Sequence, residues 1–441
     1  MASKKLYLLT FGCQMNVYDS ERIRQLMASC GYLRVEDPAD ADLIFLNTCS
    51  VREKPVEKLY SALGRFRRLK RKNPQLIIGV GGCAAQQEGE KLLKRAPYID
   101  FILGTKEFPR ILKVLDDLSN SQRPIVSTSL NGRSDPYSSL PLDASDCRPT
   151  AFVSIMQGCD NFCSYCIVPF VRGREMSRPS RDILKEIHFL SEKGVREITL
   201  LGQNVNSYGQ KTPGEMAFVD LLNAVQGIPG IERIRFTTSH PKDLSPGLIE
   251  AFGRLSKLCE HIHLPLQSGS DRILKRMNRG YTREDYLQQV AELRRRNSEI
   301  SITTDIIIGF PGEEEADFQD TLAAIERAQF DDLFSFKYSD RPYTRAISFA
   351  RKVPLEVSRM RLSELQAYQR KITEKRNRYW EGKKAEVLVE GLSKANSSES
   401  TGRTRTNRIV NFSGKLYPEG SLVQVLLTKA LAHSLRGEIA M

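Results

Sequence analysis

Phe152 to Cys166 reads FVSIMQGCDNFCSYC: a short apolar run of strand type, then Cys159, Cys163 and Cys166 at C-x3-C-x2-C spacing. Three thiolates on one tight loop can hold three irons of a 4Fe-4S cluster and leave the fourth iron open to an exogenous chelating ligand. A structural zinc site asks for four closed ligands, usually as separated C-x2-C pairs, and no histidine or fourth cysteine stands near enough to complete one. Burial in a core accounts for a single cysteine well and for three at this spacing badly.

The same apolar run is the first of six. Phe152–Ile155, Ile198–Leu201, Ile234–Thr238, Ile262–Leu266, Ile302–Ile308 and Leu333–Tyr338 alternate with helical stretches such as Asp182–Glu192 and Arg283–Arg296. Six βα repeats predict a barrel or partial barrel, with chemistry gathered at the C-terminal strand ends; an open doubly wound sheet is the alternative. Upstream, Leu6–Phe11, Leu43–Asn47, Leu76–Val80 and Phe101–Leu103 alternate with helical patterns in the same way, implying βαβ units on an open parallel sheet. A Ser-, Asp- and Pro-rich stretch between them reads as a linker. Beyond a long charged helix, about Leu355 to Trp380, short strand patterns (Ala385–Val389, Arg408–Phe412, Leu422–Leu427) with turn glycines at Gly402, Gly414 and Gly420 read as a small β-barrel. The fold class is α/β with four segments: 1–120 the N-terminal domain, 121–148 the linker, 149–371 the (β/α)6 partial barrel, and 372–441 the small β-barrel.

The chain has 441 residues, too many for one core, and ordinary globular proportions of 40% hydrophobic and 27% charged residues. No segment reaches the length of a membrane span and the N-terminus lacks a signal-peptide core, so a cytoplasmic, membrane-free protein is expected. Nine cysteines in such a chain point to metal or catalysis rather than disulfides. A formal charge of +13 fits a polyanionic partner or plain solubility. The basic run Arg65, Arg67, Arg68, Lys70, Arg71 and Lys72 fits phosphate tracking or a solvated helix face.

Cys13, Cys49 and Cys83 lie far apart in sequence, yet each closes a strand pattern of the N-terminal region: LLTFGC, LIFLNTC and IIGVGGC. In an open parallel sheet those ends converge on the ligand-binding crevice, and Gly12, Gly81 and Gly82 would let backbone come close to a bulky group. Scattered buried thiols are the alternative reading. Cys30, Cys147 and Cys259 match no ligand motif.

The C-x3-C-x2-C loop, with Tyr165 before its last cysteine, resembles the radical S-adenosylmethionine (SAM) superfamily. That resemblance implies that the amino and carboxylate groups of SAM chelate the open iron, and it turns other strand ends into candidate SAM contacts. These are Gly202, Gln203 and Asn204 after the second barrel strand, Thr237, Thr238 and Ser239 after the third, and Gly309 to Glu313 (with Gly312) after the fifth; as strand ends they are equally turns. Across nearly the whole chain, GCQMN, LNTCSVREK, GGCAAQ, the CDNFCSYC loop and the basic β-tail resemble the MiaB-type tRNA methylthiotransferases. The family implies two 4Fe-4S clusters, on Cys13, Cys49, Cys83 and on Cys159, Cys163, Cys166. It further implies two SAM molecules, and methylthiolation of carbon 2 of an isopentenylated adenosine beside the anticodon of tRNA. A low-potential donor such as flavodoxin or ferredoxin, an unspecified sulfur donor and a monomeric enzyme are expected with it.

No residue is assigned as a catalytic acid or base; His240, His263, Asp305 and Glu313 are cavity candidates that are equally core residues. Arg172 and Arg174 fit tRNA phosphate, SAM carboxylate or the surface. The tail resembles a TRAM domain, whose Arg403, Arg405, Arg408 and Lys415, with Tyr417, would meet RNA, while Phe412 suits the barrel core. Tyr343 in YSDRPYTRA departs from the glycine common in that family and puts the local loop shape in question. Sibling chemistries on threonylcarbamoyl-adenosine or a ribosomal-protein aspartate, and a non-catalytic iron-sulfur RNA-binding protein, are the competing readings.

Overall fold

The computed structural model describes residues 3–50, 53–120, 124–131 and 148–440. Two compact units emerge. One holds the N-terminal sheet and its helices together with Met156–Asp160 and Cys166–Arg178; the other holds 148–155, Asn161–Tyr165 and everything from Pro179 onward.

In the first unit six parallel strands run β1 (Lys4–Phe11), β2 (Tyr32–Arg34), β3 (Leu43–Thr48), β4 (Ile77–Gly81), β5 (Phe101–Leu103) and β6 (Ile125–Ser127), in the spatial order β2-β1-β3-β4-β5-β6. The run LIFLNT of β3 is buried throughout, as a strand covered on both faces requires. Ile44 and Leu46 turn to one face and pack with Leu59, Leu63, Phe66, Ile78 and Val80. Phe45 turns to the other, stacked on Phe101 and edge-on to Phe108. Each such side chain contributes roughly 1.5–3 kcal/mol by leaving water. The open parallel sheet is as expected, with one correction: Ile125–Ser127, given above to the linker, pairs with β5 as the edge strand. The rest of that stretch, 121–123 and 132–147 with Cys147, lies outside the described residues. Also in this unit, two strands of two residues each, Met156–Gln157 and Met176–Ser177, pair antiparallel; neither was legible as a strand.

The second unit carries the six barrel strands: β7 (Thr150–Ser154), β8 (Glu197–Leu201), β9 (Arg233–Phe236), β10 (His261–His263), β11 (Ser301–Ile308) and β12 (Asp332–Lys337). All pairings are parallel, in two three-stranded sheets, β9-β8-β7 and β10-β11-β12. A parallel bridge joins Ile234 of β9 to Leu258, three residues before β10, so the chain entering the second sheet lies against the edge of the first. Helices between strands begin on capping side chains that satisfy otherwise orphaned backbone N–H groups: Ser245 before Pro246–Arg254, and a reciprocal Thr282–Asp285 box before Arg283–Arg296. The long helix Leu355–Arg378 follows, so the boundary placed at 371 falls inside a continuous helix. Five strands, β13 (Lys384–Leu392), β14 (Ser400–Thr404), β15 (Ile409–Ser413), β16 (Leu422–Ala430) and β17 (Leu435–Ile439), then close the small barrel. Its core gathers Trp380, Val387, Val389, Val410, Phe412, Val425 and Leu427.

Candidate cluster sites

The first cysteine set stands at the C-terminal ends of three adjacent strands, β1, β3 and β4, whose backbones in a parallel sheet are about 4.8 Å apart. The Cys49 N–H donates to the Phe11 carbonyl at 2.8 Å, drawing the loops after β1 and β3 together. Glycine is required beside two of the cysteines. Gly12 has φ +150° and a β-carbon there would fall 2.6 Å from that of Cys49; Gly82 has φ +91° and its β-carbon would meet Asn47 Oδ1 at 2.3 Å. A buried amide pair sets the loops: Asn16 Nδ2 donates to Asn47 Oδ1 at 3.0 Å, and Asn47 Nδ2 donates back to the Asn16 carbonyl at 2.9 Å and to Ser20 Oγ at 3.0 Å. The Cys13 thiol points at Asn16 Oδ1 from 3.4 Å.

Electrostatics separate the three thiols. A hydrogen bond from Cys49, helped by the Arg172 charge and opposed by desolvation from the protein packed around the sulfur, brings the Cys13 thiol down to about 6. Burial pushes Cys83 up, against the pull of Arg172. Among the described residues no three His, Cys, Asp or Glu side chains close on a single point as ligands of one ion do. A 4Fe-4S cluster asks for something different, one thiolate per iron held apart around a larger body. An all-thiolate donor set at three neighbouring strand ends, cradled by glycines and by a thiol already biased to its ionised form, fits that group.

The second set lies on the loop after β7. The Cys159 N–H donates to the Gly173 carbonyl at 3.3 Å, and Arg174, exposed, pairs with Asp160 at 2.6 Å. In the other unit the loop's middle residues are gripped by the turn Arg276–Tyr281, which sequence reasoning passed over. Ser164 N–H donates to the Met277 carbonyl at 3.0 Å, and Asn278 Nδ2 to the carbonyls of Asn161 and Phe162 at 3.1 and 3.2 Å. Arg279 is buried, with Nη1 3.5 Å from both Cys163 Sγ and Tyr165 Oη, Nη2 donating to the Pro265 carbonyl at 2.7 Å, and Nε to Tyr281 Oη at 2.8 Å. Burial works against its charge, but Tyr281, Tyr165 and Cys163 together hold the guanidinium protonated. A fixed cation thus faces a candidate cluster thiolate.

Gly202, Gln203 and Asn204 follow β8, and Thr238 and Ser239 follow β9, as expected for a barrel rim. Asn204 Nδ2 donates to Asp243 at 2.7 Å and the Thr238 carbonyl accepts from Val205 at 3.1 Å. Asn204 Oδ1, Ser239 Oγ and His240 Nε2 are buried with no protein partner, an arrangement that a polar ligand at this rim would satisfy. Burial, then the Arg279 and Lys242 charges, take His240 down to about 2, so its ring is neutral. Glu313 lies elsewhere in role: its carboxylate turns back to accept the Gly309 N–H at 3.0 Å and pairs with Arg361 at 2.9 Å, which makes it a brace for the loop that carries Gly309 and Gly312. Asp305 sits within β11 rather than at its end and meets His263 at 3.4 Å.

Three arginine expectations need correction. Arg172 is neither at the surface nor free for phosphate: it is buried, 2.6 Å from Asp19 and 3.4 Å from the Cys83 sulfur. In the C-terminal barrel, Arg405 is spent on Glu260 at 2.8 Å and on the Ser256 and Leu258 carbonyls, and Arg408 is buried against Asp331 and Asn377. Both dock the barrel onto the central strands, as do Arg233 and Arg235, which donate to the Arg403 and Arg405 carbonyls. Arg403 pairs with Glu390 at 3.0 Å; Lys415 is exposed beside Tyr417, and Phe412 is core as expected.

Family models match the three regions in turn: the uncharacterized protein family UPF0004 at 5–104, the Radical SAM superfamily at 153–325 and the TRAM domain at 379–440. The fold and the cysteine loop therefore define a radical SAM protein with an RNA-binding type of tail. A tRNA-2-methylthio-N(6)-dimethylallyladenosine synthase of Syntrophus aciditrophicus is 54% identical over 99% of this chain and 94% of its own length, and one of Geobacter metallireducens is 52% identical over 99% and 98%. This chain belongs to that family of synthases. Among solved structures, the radical SAM methyltransferase TsrM of Kitasatospora setae, with cobalamin and a 4Fe-4S cluster bound, superposes with a TM-score of 0.58 at 14% identity, covering 78% of this chain and 77% of its own, a likeness of fold.

Proposed function

We infer that the protein is a radical SAM methylthiotransferase acting on tRNA, which adds a methylthio group to carbon 2 of the N6-isopentenylated (dimethylallyl) adenosine beside the anticodon. Full-length similarity above half identity to synthases bearing that name carries the reading, and the two cysteine triplets give it chemistry. With two 4Fe-4S clusters and SAM bound, the site supplies a carbon radical able to take an aromatic hydrogen that no protein base can remove, and a methylthio group to replace it.

The chain's part is placement. Cys13, Cys49 and Cys83 would hold one cluster, with Asn16 and Asn47 fixing their loops. Cys159, Cys163 and Cys166 would hold the other, with Arg279 offsetting the Cys163 thiolate. Tyr165, Gly202, Gln203, Asn204, Thr238, Ser239, Gly309 and Gly312 are our proposed SAM contacts, supported most by the open hydrogen-bonding capacity of Asn204 and Ser239. RNA docking through the tail would fall to exposed lysines such as Lys415 and Lys429 rather than to Arg405 and Arg408. A cytoplasmic monomer served by a flavodoxin- or ferredoxin-type donor fits a tRNA substrate and a reductive cleavage of SAM; among the described residues no helix is long and apolar enough to cross a membrane.

Expression in bacteria lacking their own 2-methylthio step tests the reading. Digested tRNA should regain the 2-methylthio form of the isopentenylated adenosine. Accumulation of methylthiolated threonylcarbamoyl-adenosine instead, or of no methylthio nucleoside, would count against it.

A further inference from the structure

The short helix Val168–Arg172 starts two residues after Cys166 and ends on a buried arginine. Arg172 Nε lies 3.4 Å from Cys83 Sγ, while its Nη2 donates to Asp19 Oδ2 at 2.6 Å; both charged side chains are out of solvent, at 3% and 0% exposure. Ile167 and Val171 pack against Cys83 itself, and Thr105 Oγ1, just past β5, donates to the Val171 carbonyl at 2.6 Å, pinning the segment beside the strand end that carries Cys83. As a source of stability this arrangement is poor, because well-packed apolar side chains serve a fold as well as a buried ion pair. Beside a cluster it has a clear use: charge and hydrogen bonds at the ligand sulfurs set a cluster's reduction potential.

We propose that Arg172 is a positioning residue for the cluster on Cys13, Cys49 and Cys83: its guanidinium donates to the Cys83 sulfur and raises that cluster's potential, and Asp19 moderates the effect. The inference rests on the ligand assignment made above. Uptake of one electron adds one negative charge to the cluster; Arg172 favours that change and Asp19 opposes it. Because Arg172 rides on the helix leading out of Cys166, one segment carries a ligand of the radical SAM cluster at one end and a tuning donor for the other cluster at its far end.

The test is a redox titration with titanium(III) citrate, followed by electron paramagnetic resonance, on full-length protein in which Cys159, Cys163 and Cys166 are changed to Ala so that only one cluster is loaded. Arg172→Gln should move the midpoint to more negative potential, Asp19→Asn to more positive, and Arg172→Lys should stay near the parent. If Arg172→Gln does not fold, the Asp19→Asn shift and the Arg172→Lys rescue still decide. A loaded cluster whose midpoint ignores these changes, or moves the same way with Arg172→Gln and Asp19→Asn, overturns the proposal alone. A triple-Ala parent that binds no iron overturns the ligand assignment beneath it.

Discussion

Cys13 and Cys83 show how one proposed ligand set can hold thiols of opposite temper. Cys13 is exposed and its thiol is drawn down to about 6 by the Cys49 hydrogen bond, whereas Cys83 is buried and pushed up. A lowered value means the thiolate dominates above it, so in metal-free protein Cys13 should be alkylated by iodoacetamide at pH 7 well before Cys83, with a rate that halves near pH 6. Peptide mass spectrometry reads this directly; equal labelling of the two would contradict the geometry. Tyr343 is instructive for another reason. Its departure from glycine was visible in the sequence, and the structure places it at φ +70° and 59% exposed, a left-handed conformation that glycine enters without strain. Tyr343→Gly should therefore stabilise the second unit by roughly 0.5–1 kcal/mol, a left-handed penalty of roughly 1–2 kcal/mol less roughly 0.4–1 kcal/mol for glycine's entropy, measured as a rise in its unfolding midpoint. By contrast, the hydrogen-bonding roles of Asn16, Asn47 and Arg279 left no mark in periodicity or spacing, since a polar residue's partner is decided by tertiary approach.

At the level of elements, long strands announced themselves and short ones did not. Ser301–Ile308 is eight residues rich in β-branched side chains and Leu43–Thr48 opens on four apolar residues, enough to be read from sequence, while Ile125–Ser127 is three residues in a Ser- and Pro-rich stretch and Ser400–Thr404 is mostly polar. Both are strands because a neighbour supplies the pairing. The same limit misled the reading of the tail's arginines, for charge is legible and its partner is not. Arg405 is held by Glu260, so Arg405→Ala should leave the salt dependence of tRNA affinity unchanged. Exposed Lys415, replaced by Ala, should lower the slope of log affinity against log salt by roughly 0.7–0.9 if it neutralises one phosphate. Asp331→Ala strips the partner from buried Arg408 and from Arg376, and should cost about 3–5 kcal/mol in unfolding experiments, far beyond a surface pair.

Across the whole molecule, the alternation of strands and helices, the two cysteine triplets and the closing β-barrel were all present in the sequence as pattern. What pattern could not convey is that Cys166–Arg178 packs with the N-terminal sheet while Asn161–Tyr165 packs with the barrel, so that one cysteine loop is divided between two compact units. We propose that both triplets serve a single methylthiolation of tRNA. It is tested most directly by incubating anaerobically reconstituted protein with SAM, a low-potential reductant and tRNA bearing isopentenylated adenosine, then analysing the digested nucleosides by mass spectrometry. A methylthio adduct should form on that adenosine and be lost when Cys13 or Cys159 is changed to Ala. An adduct that survives Cys13→Ala, or SAM cleavage by the intact enzyme with no adduct at all, would contradict it.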